Sequence, residues 1–316
     1  MNTAVFLMNL GGPRTLGEVE PYLRELFSDV LPAGLGPLRG PLAGLIAKLR
    51  APSSKEKYRL VGGRSPLVER TQEQARALAS ALGGGFSTHV AMRCGHPSTA
   101  QAVQEALVAN AERAVALPLY PQWANVTTRS SLDELRRLWP GRKALLEIGT
   151  WHDHPGWLDA VAATAREAID KVPGPLAREL LVLFSAHGLP MAEVNRGDKY
   201  PRYVEASAKG VAGRCGLAAH QWLVTYQSRL GPLKWLGPDT VAYLRTKSQG
   251  RAVVAVPISF VSEHLETLYD LDILARDAAR RGGAAFYARA RAVGARPDFI
   301  AALKDIVCAA LQPAQH

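Results

Sequence analysis

Residues 253–260 read Val-Val-Ala-Val-Pro-Ile-Ser-Phe, and this stretch decides the fold class. A short apolar run rich in β-branched residues is typical of a parallel strand that is buried on both faces. The segment 261–272, Val-Ser-Glu-His-Leu-Glu-Thr-Leu-Tyr-Asp-Leu-Asp, begins where this strand ends. Because open α/β sheets bind ligands at the carboxyl ends of their strands, the sequence predicts a site here.

Three acids follow this strand at helical spacing. On a helix, Glu263, Glu266 and Asp270 fall at i, i+3 and i+7 and share one face. Three carboxylates repel one another unless a cation neutralises them, and a metal ion would do so. Acids in the first turn of a helix also suit its dipole and commonly face water. This segment alone leaves both interpretations open.

A second apolar strand, Leu181 to Ser185, leads to a lone histidine. His187 lies between Ala186 and Gly188, again at the end of a strand. A lone histidine is more often a hydrogen-bonded structural residue than a catalyst. Two strand ends that bring His187 and Glu266 into one crevice nevertheless favour a functional site.

Strands and helices alternate along the whole chain. Apolar runs predict strands at 4–10, 89–93, 113–119, 144–149, 179–185, 222–226 and 253–260, and helical periodicity predicts helices at 67–82, 98–110, 130–138 and 157–171. This alternation indicates βαβ units and a parallel sheet. A break at Trp139-Pro140-Gly141 separates two halves. Gly11-Gly12 does not fit a dinucleotide fingerprint.

Composition excludes several classes of protein. The chain has 316 residues, is 47% hydrophobic and carries a formal charge of +10. It contains no apolar run of the ~18 residues that a membrane span needs. The first ten residues lack a signal peptide, so we expect a cytoplasmic protein. Three widely spaced cysteines predict neither a disulfide framework nor a zinc site. The basic residues lack interleaved aromatics, so we expect no nucleic-acid partner.

The segment Val30–Leu49 is apolar but broken by proline and glycine. One interpretation is an apolar lip followed by a short helix with Lys48 and Arg50, which covers a hydrophobic ligand or rests on lipid. The other is an ordinary buried loop and helix. The sequence does not decide between them.

Seven segments in order along the chain resemble the ferrochelatases, which insert ferrous iron into a porphyrin. They are 9–13 (Asn-Leu-Gly-Gly-Pro), 58–66 with Tyr58-Arg59, Gly62-Gly63 and Ser65-Pro66, 120–122 (Tyr-Pro-Gln), 185–190 (Ser-Ala-His-Gly-Leu-Pro), 195–201 with Asn195-Arg196-Gly197-Asp198 and Tyr200-Pro201, 235–238 (Trp-Leu-Gly-Pro), and 263–269 (Glu-His-Leu-Glu-Thr-Leu-Tyr). The resemblance extends over nearly the whole chain.

The resemblance implies an α/β fold of two Rossmann-like lobes with a porphyrin cleft between them. The expected lobes are 1–138, which includes the lip at about 30–50, and 139–295, with a C-terminal helix at 296–316 that returns to the first lobe. The implied reaction is insertion of Fe²⁺ into protoporphyrin IX, the last step of haem biosynthesis. The lip favours protoporphyrin IX because relatives that use coproporphyrin III have it cut short.

By resemblance, His187 and Glu266 are the catalytic residues. A neutral imidazole, with a pKa near ~6.5, is a suitable base for the pyrrole N–H protons. His187, Glu266 and Asp270 are the expected metal contacts, and which of His187 and Glu266 meets iron first stays open. Leu274 stands where the family often has a further acid, so a longer carboxylate path is in doubt.

The expected substrate contacts are Tyr58, Ser65, Arg93, Tyr120, Trp235, His264 and Arg50. Among these, His264 is expected to organise Glu266 through a hydrogen bond, and Arg50 is expected to pair with a porphyrin propionate. We expect no tightly bound cofactor and no iron–sulfur cluster, with Fe²⁺ as a substrate. The expected partners are the porphyrin and ferrous iron, with peripheral membrane contact through the lip, for a monomeric protein.

Four alternatives remain. Coproporphyrin III is the nearest alternative substrate. A chelatase that acts on sirohydrochlorin or inserts cobalt would present paired histidines, for which His187 and His264 are candidates. A two-lobed binding protein would share the architecture without catalysis. A haem carrier would need an axial ligand but no adjacent acid such as Glu266.

Overall fold

The chain folds into two compact α/β units. The structure, a computed structural model, describes residues 2–31, 33–229, 231 and 233–312. Unit 1 comprises the chain up to Leu119, Val126–Ile148 and the chain from Ala310 on, and unit 2 comprises Tyr120–Asn125 and Gly149–Ala309.

Each unit is built on a four-stranded parallel sheet. Unit 1 has the strand order β2-β1-β3-β4, with β1 Thr3–Asn9, β2 Phe86–Met92, β3 Arg113–Pro118 and β4 Ala144–Glu147. Unit 2 has the order β6-β5-β7-β8, with β5 Leu180–His187, β6 Trp222–Gln227, β7 Ala252–Pro257 and β8 Phe286–Arg289. The parallel sheets predicted from the alternating pattern are confirmed.

Helices connect the strands. In unit 1 they are α1 Val19–Val30, α2 Arg39–Leu60, α3 Leu67–Leu82, α4 Thr99–Val108 and α5 Ser130–Leu138. In the other unit they are α6 Pro155–Ile169, α7 Met191–Asn195, α8 Tyr200–Arg214, α9 Thr240–Lys247, α10 Arg276–Arg281 and α11 Pro297–Leu311. Short 3-10 turns lie at Leu16–Glu18, Ala33–Leu38, Gly174–Glu179 and Ala219–Gln221, and π-helical segments at Asn125–Arg129 and Glu266–Ala275.

The core of each sheet follows from its central strands. Every residue of β1 and β7 is buried, as is every residue of β5 before His187. Such strands must be apolar throughout because helices cover both faces. The strand β8, which has four partly buried residues and ends on Arg289, was not predicted from the sequence. A strand this short has too little periodicity to be distinguished from a loop.

The units differ from the predicted lobes in three places. Tyr120–Asn125 belongs to unit 2, although it lies within the predicted first lobe. β4 pairs with β3, so unit 1 continues past Trp139-Pro140-Gly141. Phe299 of α11 packs against Trp151 and Trp157, with ring centroids 6.0 and 5.8 Å apart, so most of this helix belongs to unit 2. The proline and glycine of Trp139-Pro140-Gly141 predicted a boundary at this point, whereas the pairing of β4 with β3 keeps the following residues in unit 1.

The segment predicted as a lip contains a longer helix than expected. Pro32 lies outside the described residues, whereas Ala33–Leu38 forms 3-10 turns and α2 runs on to Leu60. Leu38, Leu45 and Leu49 are 68, 56 and 71% exposed. An ordinary buried loop and helix does not fit these values. No described helix is both long and apolar enough to cross a membrane.

Close packing between α9 and the end of α10 depends on Gly282. A Cβ atom at this position would lie 2.1 Å from the carbonyl oxygen of Leu244 and 2.5 Å from Oγ of Ser248. We therefore expect Gly282→Ala to destabilise the protein by about 3 kcal/mol, since backbone atoms must shift to accommodate it. Gly213→Ala is the matched control, because Gly213 lies in α8 with no atom within 4 Å of the added methyl group. Calorimetric melting of the two variants at similar temperatures would contradict this prediction.

Candidate active site

His187 is placed by the central strand of the second sheet. β5 lies between β6 and β7, and His187 is its last residue. Its Nδ1 atom lies 2.7 Å from Oε2 of Glu266, the first residue of the π-helical segment after β7. The His187 side chain is 41% exposed and that of Glu266 is 22% exposed. The structure thus brings together the two residues that the sequence predicted as catalytic.

Charge pairing sets the protonation of these two groups. Removal from water lowers the pKa of His187, but the adjacent Glu266 carboxylate outweighs this effect and the net shift is upward. Burial acts against the charged form of Glu266 as well, yet the His187 imidazolium holds its pKa well below the usual range. With no substrate bound, the pair is an imidazolium and a carboxylate to a higher pH than a free histidine would allow.

The pKa of His187 can be tested by NMR titration of its imidazole C–H resonances. We expect a midpoint above 6.5 in the unliganded protein, because Glu266 stabilises the charged ring. Glu266→Gln removes that charge, so the midpoint should fall below the wild-type value, whereas the histidines other than His187 and His264 should keep theirs. An unchanged midpoint would show that the carboxylate does not control this imidazole.

The π-helical segment presents Glu266 and Asp270 but not Glu263. Glu263 precedes the segment and lies 2.9 Å from Nη1 of Arg289, the last residue of β8. The same guanidinium binds Asp272 at 2.8 Å. The prediction that three acids share one face is therefore wrong, because Glu263 forms an ion pair with Arg289 instead. Non-α turns of this kind are frequent at functional sites.

Ser228 contacts Asp270, and the sequence did not predict this residue as part of the site. Its hydroxyl donates to Oδ2 of Asp270 at 2.6 Å, and it makes a small contribution to the lowered pKa of Glu266. Ser228 has a φ of +65°, a left-handed conformation that is uncommon for a residue with a side chain. The sequence feature that could have identified Ser228 is its place directly after β6, at the carboxyl end of the sheet.

Gln227 and Tyr200 hold the backbone around the pair. Nε2 of Gln227 donates to the backbone carbonyl of Glu266 at 3.2 Å, while its Oε1 accepts from Ser185 at 3.0 Å. The Tyr200 hydroxyl donates to the carbonyl of His187 at 3.1 Å. These buried side chains join β5, β6 and the π-helical segment, which fixes the distance between His187 and Glu266.

His264 and Trp235 lie near the pair in different ways. The His264 ring packs on Phe260 with centroids 4.5 Å apart, and Nδ1 lies 3.2 Å from the Ser262 carbonyl oxygen. Burial lowers the pKa of His264. The His264 imidazole is thus hydrogen-bonded to the backbone of Ser262, whereas we predicted a bond to Glu266. The Trp235 ring lies 3.3 Å from the position of a Cβ atom on Gly188, next to His187.

Tyr120 lies in unit 2 and four of the predicted substrate contacts lie in unit 1. Tyr58 and Ser65 are buried, whereas Arg50 is exposed on α2. Arg93 forms an ion pair with Asp29 and a second one with Glu134 at 3.4 Å. Burial raises the pKa of Asp29 even though Arg93 opposes the shift. Arg93 is thus held by two acids of unit 1.

The potential metal donors form a pair rather than a cage. Within the described part of the chain, no group of three or more His, Cys, Asp or Glu side chains is close enough to hold one ion. His187 and Glu266 supply adjacent nitrogen and oxygen atoms, and Asp270 connects to them through Ser228. A two-donor arrangement suits an ion that passes through, because a resident structural metal usually has more protein ligands.

Comparisons with known proteins agree with this geometry. A ferrochelatase family profile matches residues 2–311. Proteins named ferrochelatase are 40% identical in Synechococcus sp. strain RCC307, over 96% of this chain and 81% of theirs, and 39% identical in Geobacter metallireducens, over 96% and 97%.

Among solved structures, CbiX, a terminal enzyme of sirohaem biosynthesis in denitrifying bacteria, has a TM-score of 0.55 at 15% identity, covering 99% of this chain and 100% of its own. SirB from Bacillus subtilis has a TM-score of 0.57 at 11% identity, with coverage of 98% and 96%. These two share the fold. The family profile and the relatives at about 40% identity confirm the resemblance seen in the sequence, and the chain belongs to the ferrochelatase family.

Proposed function

We propose that this protein is a lyase-class chelatase that inserts Fe²⁺ into protoporphyrin IX, with release of two protons, as the last step of haem biosynthesis. Family membership supports the reaction class. The observation that carries the proposal is the contact of 2.7 Å between His187 and Glu266 at the carboxyl end of β5. It provides a base and a cation-binding carboxylate side by side.

His187 acts as the base for the pyrrole N–H protons in this proposal. It must be neutral to accept a proton, whereas the resting pair favours the imidazolium. A dication that approaches the Glu266 carboxylate lowers the pKa of the neighbouring imidazole, because like charges repel. Arrival of Fe²⁺ would therefore release the proton of His187 to water, since this side chain is partly exposed, and leave a neutral base for the pyrrole N–H protons.

Glu266, Ser228 and Asp270 form the proposed path for protons or iron. The hydroxyl of Ser228 donates to Asp270 and lies near Glu266, so a proton that His187 transfers to Glu266 would have an acceptor nearby. Asp270 continues the path by one turn of the π-helical segment. Leu274, which is 37% exposed, follows on the same segment and cannot accept a proton.

Substitution of Ser228 tests this path. Ser228→Gly and Ser228→Ala both remove the hydroxyl, and we expect both to slow iron insertion by about tenfold, the value of one charge-assisted hydrogen bond. The glycine variant should be more stable than the alanine variant by about 1 kcal/mol, because only glycine adopts a φ of +65° without strain. If the more stable glycine variant inserted iron at the wild-type rate and only the less stable alanine variant were slow, the result would contradict a role of the hydroxyl in the path.

For the porphyrin, we propose apolar contact by Trp235 and polar contacts by Tyr120 and His264 in unit 2. Tyr58, Ser65, Arg93 and Arg50 are the proposed contacts of unit 1. Arg93 already binds two carboxylates, so it would meet a propionate by exchanging one of them. Arg50 is exposed and is the simpler partner for a propionate.

The exposed leucines of the lip support protoporphyrin IX as the substrate and a membrane surface as a peripheral partner. Leu38, Leu45 and Leu49 present apolar side chains beside the cations Lys48 and Arg50. Such a surface covers an apolar ligand or rests on an anionic lipid headgroup layer. We further propose a cytoplasmic monomer that holds neither a resident cofactor nor an iron–sulfur cluster.

Anaerobic assays with Fe²⁺ that follow the loss of porphyrin fluorescence test the function. Protoporphyrin IX and coproporphyrin III are compared in parallel, with His187→Ala as the inactive control. Turnover of protoporphyrin that the substitution abolishes is the expected result. Faster turnover of coproporphyrin III would support the chelatase activity but contradict protoporphyrin IX as the substrate. If neither porphyrin were turned over, the whole proposal would be wrong.

A further inference from the structure

β2 is an edge strand of unit 1, with β1 on one side. The hydrogen bonds at its two ends show which residues face β1. The Thr3 N–H donates to the Gly85 carbonyl at 2.9 Å, and the Arg93 N–H donates to the Asn9 carbonyl at 2.8 Å. Successive residues of a parallel strand direct their backbone groups to alternate sides. Odd-numbered residues therefore bond to β1, and even-numbered residues face outward.

Direct contacts agree with this alternation. The N–H of Met92 donates to the Pro97 carbonyl at 2.9 Å, away from β1. Thr88 and Val90 are the outward residues in the middle of the strand. Each directs an N–H and a C=O to the outer side, and the two residues are separated by one strand repeat, about 7 Å.

An open groove of about 750 Å³ covers these two residues. Ala75 and Arg76 of α3, Gln101 and Glu105 of α4, and Thr88 and Val90 of β2 line it. The Thr88 hydroxyl donates to the Ala75 carbonyl at 3.0 Å, so this side chain is held against α3. The groove is thus lined by α3, α4 and the two residues of β2 whose backbone groups face outward.

The lining of the groove carries two arginines against one glutamate. Arg14 pairs with Glu18 at 2.9 Å. Arg76 is exposed and forms no ion pair with any carboxylate of the residues that the structure describes. A partner that fits this groove therefore carries an acidic side chain for Arg76.

We propose that the outer edge of β2 is a docking site for an extended, acidic segment of a partner polypeptide, which adds a fifth strand to the sheet of unit 1. A small anion would use the N–H groups of Thr88 and Val90 but leave their carbonyl oxygens unmatched. A strand satisfies both, and alternate side chains supply the specificity. This site lies outside the machinery of the proposed function, so its test is independent of iron insertion.

The test uses the full chain and a fluorescein-labelled heptapeptide of alternating glutamate and valine. We expect saturable binding by fluorescence anisotropy at low salt, together with slower hydrogen exchange of the Val90 amide. Replacing glutamate by lysine should weaken binding by about tenfold. N-methylation of alternate peptide amides should weaken it by at least about fivefold, since each blocked main-chain hydrogen bond is lost.

Two pairs of variants localise the contact. Thr88→Pro removes an outward N–H at an edge where proline is tolerated, and should reduce binding about fivefold. Thr88→Val keeps the N–H and loses only the hydroxyl, so it should bind normally. Arg76→Glu should weaken binding about fivefold, whereas Arg142→Glu, the same change on the turn before β4 at the opposite edge of the sheet, should not.

Four results would overturn the proposal. If the N-methylated peptide bound as tightly as the unmodified peptide, charge alone would account for binding and main-chain hydrogen bonds would not. Competition by free glutarate at the same carboxylate concentration would indicate a small-anion site. Absence of binding at millimolar peptide, or displacement of peptide by association of the protein with itself, would exclude a partner segment. If Thr88→Pro fails to fold, the N-methylated peptide and Arg76→Glu still decide the question.

Discussion

His187→Ala should reduce iron insertion by about two to four orders of magnitude, the contribution of a positioned general base. The substitution removes the group that is 2.7 Å from Glu266, and it leaves that carboxylate without its adjacent cation. We expect Glu266→Gln to lose activity to a similar extent, since the two residues act as one unit. The measurement is the initial rate of porphyrin fluorescence loss under anaerobic conditions.

Binding measurements separate catalysis from substrate affinity. Quenching of protoporphyrin fluorescence by each variant gives the Kd, which should change by less than about tenfold because the rest of the porphyrin contacts remain. His220→Ala is the matched control, because His220 is exposed in a 3-10 turn far along the chain from either residue of the pair. A His187→Ala enzyme that keeps more than a tenth of the wild-type rate would rule out its role as the base.

The second large effect is expected for Arg289→Met, which should lower the free energy of unfolding by about 3 kcal/mol. The guanidinium is only 8% exposed and binds Glu263 and Asp272 in a bridge between the π-helical segment and β8. Methionine replaces the unbranched stem of the side chain but leaves two partly buried carboxylates without a cation. Differential scanning calorimetry should show a melting temperature lower by roughly 6–10 °C.

The effect of Arg289→Met should depend on pH in a defined direction. Burial alone would raise the pKa of Glu263, but Arg289 outweighs it and the net shift is downward. A carboxyl group with a lowered pKa in the folded state contributes stability above its unfolded value of about 4.5. That contribution is lost as the pH falls through the lower folded value. The difference between wild type and variant should therefore be largest near neutral pH and shrink below about pH 4.5.

Arg276→Met provides the control for the ion pair. Arg276 contacts Asp272 at 3.7 Å, but its side chain is 61% exposed. An exposed pair of this kind contributes less than about 1 kcal/mol. Equal melting temperatures for the two variants would show that the burial of Arg289 does not strengthen its interactions.

Local patterns predicted the strands of this protein well. The predicted runs at 113–119 and 222–226 correspond to β3 and β6 within a residue or two, and the helices at 67–82 and 130–138 coincide with α3 and α5. These elements were readable because burial on both faces of a parallel sheet requires continuous apolar runs. β8 was not, because four partly buried residues that end on an arginine lack such a run.

The sequence predicted only part of the site. His187 and Glu266 follow apolar strands, and parallel strands bring their carboxyl ends to one edge, so their meeting was predictable. Ser228 was not singled out, although it follows β6 at the same edge. Its role depends on a left-handed backbone and on a hydroxyl aimed at Asp270, 42 residues away in sequence.

The sequence by itself determined the fold class, the order of the strands along the chain and the strand ends that carry His187 and Glu266, because each depends on residues within one short segment. Only the tertiary structure decided which charged groups pair. Glu263 meets Arg289 across 26 residues and Arg93 meets Asp29 across 64. The physical reason is that an ion pair depends on which elements become neighbours in the packed unit, and helical spacing within one segment contains no information about a partner on another strand.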